Sequence, residues 1–313
     1  MSKLALIAEK LCDKGYSIIP LWPEEKTPMV DKFSVNNPMA FKDFSKYIDA
    51  HPNLGIGLLM GGEKKLSAID FDLKYDVTNT LFDRYKKAAP SSITKKMQVN
   101  KTKNNGIHFV LSCDIVEPNQ VLASRETTNE EVKATFIKSL GKEKFLDTCL
   151  AASNDRTRVL IETRGEGGYI VYPPSLGYTH VYGKINKITF TEYECLMETA
   201  RSFNEYFSPV KMKGFATDDE EDLIDKFNKE NDGLSILTRH GWEIVAENSK
   251  DVRLRRPGDS YSKSSALFDK ITNTFVVFTT STIFKTREAY KPFDIMLGLE
   301  YNNNFKQFRK DLK

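Results

Sequence analysis

Cysteine is sparse in this chain of 313 residues: Cys12, Cys113, Cys149 and Cys195 stand far apart, with no C-x-x-C pair and no histidine at metal spacing. Structural zinc sites draw their thiolate and imidazole ligands from close pairs, so zinc is not expected and four reduced thiols are. No apolar run approaches the roughly 20 residues that span a bilayer, and no membrane contact is expected. The stretch from Met1 to Lys14 alternates charged and apolar residues where a signal peptide would carry an apolar block. A cytoplasmic protein is expected. A large charge of one sign is lacking too, since the net charge is only +3. It is uneven, however: Lys250 to Lys313 holds 13 Lys/Arg against 7 Asp/Glu, +6, which leaves −3 for the rest. A basic C-terminal segment is an electrostatic footprint for polyanions.

What is present fits an ordinary globular chain, with 40% hydrophobic and 28% charged residues, and a length suited to one large domain and a small one. Leu4, Ile7, Ala8 and Leu11 fall at helical spacing, Gly15 stops that helix, and Tyr16 to Ile19 follows as a strand before Pro20. A helix over about 38–50 leads to a strand over 53–59. Further strands are predicted at Leu66–Leu73, Ile107–Leu111, Val159–Glu162 and Tyr169–Tyr172, with a helical reading for Glu117–Asn154 and an amphipathic helix over Thr191–Phe207. The domain division expected is 1–212, an acidic linker or helix over 213–235 opened by the run 218–222, and a smaller α+β unit over 236–313. In that unit Trp242–Val245, Val252–Arg255 and Thr274–Phe278 read as strands, and Pro292–Leu299 and Asn304–Leu312 as helices.

Three segments carry chemistry. In Leu66-Ser67-Ala68-Ile69-Asp70-Phe71-Asp72-Leu73, residues two apart share a strand face, so Ile69, Phe71 and Leu73 can enter the core while Asp70 and Asp72 point together to the other side. Neighbouring carboxylates repel unless a cation sits between them, and paired divalent ions about 3.5–4 Å apart run phosphoryl chemistry in polymerases and nucleases. A half-exposed surface strand explains the same pattern. In Asn104-Asn105-Gly106-Ile107-His108-Phe109-Val110-Leu111, His108 faces away from Ile107, Phe109 and Leu111. It could donate to a triphosphate, or be satisfied by backbone at a strand edge. Glu162 and Arg164 again share a face, ahead of the glycine turn Gly165-Glu166-Gly167-Gly168 and the Pro173-Pro174-Ser175 tail. A carboxylate beside a guanidinium could serve metal and triphosphate together, or form only an intrastrand ion pair.

Over about residues 4 to 207 these motifs, in this order, resemble the bifunctional primase-polymerase domain of the archaeo-eukaryotic primase superfamily. The matching segments are Gly15-Tyr16-Ser17-Ile18-Ile19-Pro20-Leu21 with Lys26 and Pro28 beyond it, Asn53-Leu54-Gly55-Ile56-Gly57, Ile69-Asp70-Phe71-Asp72, Gly106-Ile107-His108, and Ile161 to Tyr169 with its Pro173-Pro174-Ser175 tail. The resemblance implies an α+β fold: a mixed sheet with flanking helices, containing an RRM-like catalytic half, plus the second small domain. It implies a template-directed nucleotidyltransferase, a DNA primase and DNA polymerase, that uses two Mg²⁺ or Mn²⁺ ions held by Asp70, Asp72 and Glu162. His108 and Arg164 would contact the nucleotide, with Gly106, Gly167 and Ser175 beside it. Partners implied are single-stranded DNA template, primer and NTP or dNTP. A tryptophan common after the early Lys-Pro segment is not evident, and the cysteines of a zinc-binding insertion are missing.

The C-terminal segments Arg239-His240-Gly241-Trp242, Val252 to Gly258 and Tyr290-Lys291-Pro292-Phe293 resemble a small domain that follows such modules in phage and plasmid replication proteins, where a helicase usually comes next. No Walker A sequence occurs here, so a helicase would be fused beyond Lys313 or supplied separately, in a phage- or plasmid-encoded protein of a bacterial host. Arg253 and Arg255 alternate with Val252 and Leu254, placing both on one strand face for DNA phosphates, with Arg256, Lys263, Lys285, Arg287 and Lys291 extending the track. A solvated strand face accounts for the same residues. Two rival readings remain at the level of sequence: a metal-dependent nuclease, and a non-catalytic DNA-binding replication initiator or helicase-docking module.

Overall fold

Apolar residues alternate with polar ones in the first half of the chain, and that alternation builds a sheet with one apolar and one polar face. The computed structural model describes residues 2–131, 157–209, 218–258 and 263–311. Contacts divide the chain into two units, 1–193 and 194–313.

In the first unit, helix α1 (Lys3–Asp13) is capped by the Ser2 hydroxyl, which accepts from the Ala5 amide, and it buries Ala5, Ala8 and Leu11. Strands β1 (Ile18–Leu21), β2 (Gly55–Leu59) and β8 (Tyr169–Tyr172) form an antiparallel sheet in the order β1-β2-β8. Pro20 lies within β1 rather than ending it, which an edge strand permits because a missing amide costs no ladder bond there. Helix α2 (Phe41–Ala50) packs Phe44 and Ile48 into the core beneath.

The second sheet runs β6 (Val121–Glu126), β7 (Thr157–Arg164), β3 (Leu66–Phe71), β5 (Ile107–Cys113), β4 (Gln98–Lys101) and β9 (Thr179–Tyr182). All those pairings are antiparallel, and a short β10 (Lys187–Ile188) adds one parallel pairing to β5. Its apolar face carries Phe71 and Phe109, which meet Phe82 and Tyr85 of helix α3 (Leu81–Ala88) edge-on at ring distances of 4.8 to 6.1 Å. Burying such rings is the main attraction holding β3 and β5 in register. A short helix α4 (Ser91–Thr94) precedes β4.

Several expectations need correction. The segment read as helical over Glu117–Asn154 contains strand β6, and its remainder from 132 onward lies outside the described residues, as does Cys149. The strand expected over Leu66–Leu73 stops at Phe71, because residues Leu73–Tyr75 tighten into a 3₁₀ turn capped by Asp72. The helix expected over Thr191–Phe207 is α5 (Phe190–Arg201), closed by turn residues after Arg201. Division by contacts falls inside α5, between Tyr193 and Glu194.

The second unit begins its folded core after β11 (Ser208–Pro209) with helix α6 (Asp218–Glu230), so the acidic run opens a helix, where negative charge suits the dipole. Helix α7 (Gly233–Arg239), the antiparallel strands β12 (Glu243–Glu247), β13 (Asp251–Arg255), β14 (Ala266–Asp269) and β15 (Thr274–Val277), a short β16 (Glu288–Ala289), and helices α8 (Pro292–Tyr301) and α9 (Phe305–Asp311) complete it. Val252, Leu254, Phe268 and Phe275 of the sheet pack on Ile236, Leu237 and Ile295 of α7 and α8. The fold class is thus α+β, with helices against largely antiparallel sheets. Among the described residues no helix is long and apolar enough to cross a membrane.

Candidate active site

Register brings distant residues together. Asp70 on β3 is paired with His108 on β5 at one side and with Glu162 on β7 at the other. Across the next two strands His108 pairs with Asn100, and Asn100 with His180. Directly opposed residues project to the same side of a sheet, so Glu162, Asp70, His108, Asn100 and His180 form one polar row, on the face opposite the aromatic cluster. One step along the strands, Arg164 pairs with Ala68, a residue too small to screen it from the acids.

Beside this row opens a cleft of about 260 Å³, lined by Asp70, His108, Arg164 and Lys26 together with Asn119, Tyr169 and Tyr178 and the backbone of Gly167. Lys26 arrives on the loop after β1. That loop is tied down by the Tyr169 hydroxyl, which donates to the Lys26 carbonyl at 2.7 Å, and by the Trp22 amide, which donates to the Thr27 carbonyl at 2.9 Å. A second cleft of about 250 Å³ shares Lys26, Val171 and Tyr178 with the first and adds Lys103 and Asn104.

The turn between β7 and β8 is held from one side by residues 117–120. The Gly165 amide donates to Asn119 Oδ1 at 2.8 Å, the Glu166 amide to the Glu117 carbonyl at 3.1 Å, and the Thr163 amide to the Gln120 carbonyl at 2.8 Å. Gly165 is obligatory, since a Cβ there would lie 1.7 Å from the Glu117 carbonyl oxygen. Gly167 has φ +78°, a left-handed conformation that glycine adopts without strain.

The acids are under electrostatic pressure. Burial, opposed by Arg164 and reinforced by the nearby Asp72 charge, raises the Asp70 carboxyl to about 6. Burial also raises Glu162, with Arg164 opposing and Asp70 and Asp72 adding to the rise. His108 is lowered to about 3 by burial and then by the charges of Lys26 and Arg164, so it is a neutral imidazole near pH 7. Its Nε2 lies 3.5 Å from Asp70 Oδ1.

Glu162 forms an ion pair with Arg164, the intrastrand pair anticipated from sequence, and Asp72 pairs with Lys74 at 3.1 Å. Among the described residues no three His, Cys, Asp or Glu side chains stand as a ready-made metal cage. The donor set is nonetheless of the hard-oxygen kind that divalent ions take, and crowded carboxylates that raise one another are relieved by a cation.

Of the residues singled out from sequence, Asp70, Glu162, His108 and Arg164 converge, with Asp72 one residue past the strand end and Gly167 in the cleft wall. Ser175 does not join them. Its hydroxyl is occupied by backbone, accepting from the Ile56 amide at 2.8 Å and donating to the Tyr172 carbonyl at 2.6 Å, and it borders the second cleft. Gly106 is a packing glycine, since a Cβ would approach the Phe71 carbonyl oxygen to 2.6 Å. Sequence reasoning did not place Lys26, Asn100, Asn119 or Tyr178 at the site. Lys26 was visible only as part of the early Lys-Pro segment.

The basic track of the second unit is more engaged than the sequence implied. Arg253 and Arg255 do share the face opposite the buried Val252 and Leu254, but the Arg253 guanidinium lies 5.5 Å from the centre of the Phe278 ring and Arg255 pairs with Glu243 at 3.3 Å. The Arg256 guanidinium donates to the Pro257 carbonyl, while Lys263 is exposed.

In comparison with known families, the sequence profile described as bifunctional DNA primase/polymerase, N-terminal, matches residues 8–192. No curated protein matches the chain.

Proposed function

The chain belongs to the family of bifunctional DNA primase/polymerase N-terminal domains, and from that premise we propose that it joins nucleotides on a single-stranded DNA template, starting or extending primers, in replication of the phage or plasmid type. The observation that carries the reading is the placement of Asp70 between Glu162 and His108 in one register row, with Arg164 and Lys26 lining the same cleft.

In the proposed reaction a 3′-hydroxyl oxygen bonds to the α-phosphorus of an incoming nucleotide, and the bond to the leaving pyrophosphate breaks. Asp70, Asp72 and Glu162 would hold two Mg²⁺ or Mn²⁺ ions. When bound, such ions lower the pKa of the attacking hydroxyl and neutralise the leaving group. Arg164 and Lys26 hold the triphosphate by charge, Arg164 through a planar fork that matches phosphate oxygens. His108, neutral at pH 7, donates one hydrogen bond and adds no charge. The exposed Lys263 and the half-buried Arg256 of the second unit are proposed to touch the DNA backbone, as phosphate-positioning groups without sequence preference.

The test is incubation of unprimed circular single-stranded DNA with ribo- or deoxynucleotides and Mg²⁺ or Mn²⁺. Products longer than the nucleotides supplied are expected. Degradation of the template without nucleotides would favour a nuclease instead, and salt-sensitive DNA binding without any synthesis would favour an initiator or docking module.

Two further results are expected. Lys26→Met should raise the nucleotide KM by about ten-fold while leaving the fold intact, because one charge-assisted contact to phosphate is worth about 1.5 kcal/mol or more. An unchanged KM would remove Lys26 from the triphosphate site. Mn²⁺ binding, followed by titration calorimetry, should weaken as pH falls through about 6, where Asp70 takes up its proton and competes with the ion. Affinity flat between pH 7 and 5 would remove Asp70 from the ligand set.

A further inference from the structure

The polar row continues past His108 to a residue with no assigned role. Asn100 is fully buried, and its Oδ1 accepts from Gln98 Nε2 at 3.0 Å and stands 3.4 Å from His180 Nδ1. Gln98 is itself fixed, its Nε2 donating to the Tyr172 hydroxyl at 2.8 Å. These contacts commit the oxygen of the Asn100 amide and turn its nitrogen the other way. That nitrogen, Nδ2, is buried with no acceptor. His108 Nδ1 is buried and unpartnered as well. The two residues are directly opposed across β4 and β5, where side chains start roughly 5 Å apart. An orphaned donor and a ring nitrogen able to accept are therefore cross-strand neighbours, and buried polar groups are rarely left unpaired.

We propose that Asn100 is a positioning residue for His108: Asn100 Nδ2 donates to His108 Nδ1 and so holds the imidazole proton on Nε2. Neither atom meets a hydrogen-bond partner among the described residues, the other included, so the bond needs the two opposed side chains to close on one another. The consequence falls at the cleft. His108 Nε2 is the nitrogen on the Asp70 side, and only with its proton there does the ring offer a donor to anionic oxygen. With the proton on Nδ1, Nε2 would turn a lone pair toward Asp70 and toward any phosphate, and both would be repelled. A second-layer amide that selects the tautomer of a working histidine is a general device. The effect on nucleotide affinity rests on the proposed function, whereas the tautomer itself does not.

The experiment is long-range ¹H–¹⁵N correlation on ¹⁵N-histidine-labelled protein without nucleotide. The chain has four histidines, and His108 is assigned by the signal missing from His108→Gln. Wild type should show His108 with its proton on Nε2. Asn100→Leu, close in volume but unable to hydrogen-bond, should give a mixture of both tautomers and raise the nucleotide KM about ten-fold, with kcat changed less. A wild-type ring protonated on Nδ1 overturns the inference without recourse to any variant. So does an Asn100→Leu protein whose His108 remains wholly in the Nε2–H form. A wild-type Nε2–H tautomer that is lost in Asn100→Leu, in a protein that never incorporates nucleotide, supports the inference and counts against the proposed function instead.

Discussion

Asp70→Asn is expected to abolish synthesis while making the metal-free protein more stable. The side chain keeps its shape but loses the charge that would hold a divalent ion. Lewis-acid stabilisation is worth several kcal/mol, so kcat should fall by about a thousand-fold or more at roughly 1.4 kcal/mol per decade. Stability moves the other way, because the folded protein buries this carboxylate at a cost that lifts it to about 6. Folded Asp70 thus binds its proton more tightly than an unfolded aspartate does. Between pH 4 and 6 the folded state takes up protons that the unfolded state has released. The wild type is therefore relieved of the penalty at low pH and loses that relief as pH rises through about 6. At neutral pH in a chelator, Asp70→Asn should unfold at higher denaturant than wild type by about 3 kcal/mol, and the gap should close by pH 4. Retained synthesis would remove Asp70 from the chemistry. A destabilised variant would show that the carboxylate is a structural asset rather than a strained ligand.

Gly165→Ala is expected to be strongly destabilising. The added carbon would stand 1.7 Å from a backbone oxygen, Glu117 O, which is no flexible side chain that can swing aside. Residues 117–120 are laced to β7 and its turn by backbone–backbone and backbone–side-chain hydrogen bonds, so either the lacing opens or the turn shifts. A cost of about 3 kcal/mol is expected, at the top of the range for overpacking. Arg164 precedes the turn directly, and displacement of a positioning group by about 1 Å can remove a hundred-fold of rate. Gly167→Ala is the contrasting case: its Cβ would meet nothing within 4 Å, leaving only the left-handed backbone cost of about 1–2 kcal/mol. Denaturant melts with steady-state kinetics on both variants check this. If Gly165→Ala proves the milder of the two, residues 117–120 do not clamp the turn.

The acids, His108 and Arg164 were legible in the sequence because strand alternation fixes the face of each residue locally: Phe71 and Phe109 had to go inward, which sent Asp70 and His108 outward. Which strands are neighbours is not local, and the order β7-β3-β5 that seats Asp70 between its partners came only from the structure. Gln98–Lys101 does not read as a strand since Gln-Val-Asn-Lys has no apolar run, yet Asn100 is buried in the row and Gln98 is buried beside it. Val121–Glu126 is hidden because its apolar Val-Leu-Ala start is followed at once by Ser-Arg-Glu and a long polar stretch. Ser175 misled in the other direction: it sits in a motif, but backbone takes up its hydroxyl. In the second unit, alternation along Val252 to Arg255 gave the correct faces, while the ring and the carboxylate that occupy the arginines lie far away in the chain.

The row that carries the chemistry draws one residue from each of five strands, spread from Asp70 to His180. Folding speed falls as contacts span longer stretches of chain, because loop closure must precede any reward. β3 must wait for β7, the better part of a hundred residues later, before Asp70 meets Glu162. Helices such as α1 and α3 can form within their own few turns. The proposed site is then among the last features to assemble, and a nascent chain halted before β7 would carry Asp70, Asp72 and His108 without Glu162 beside them.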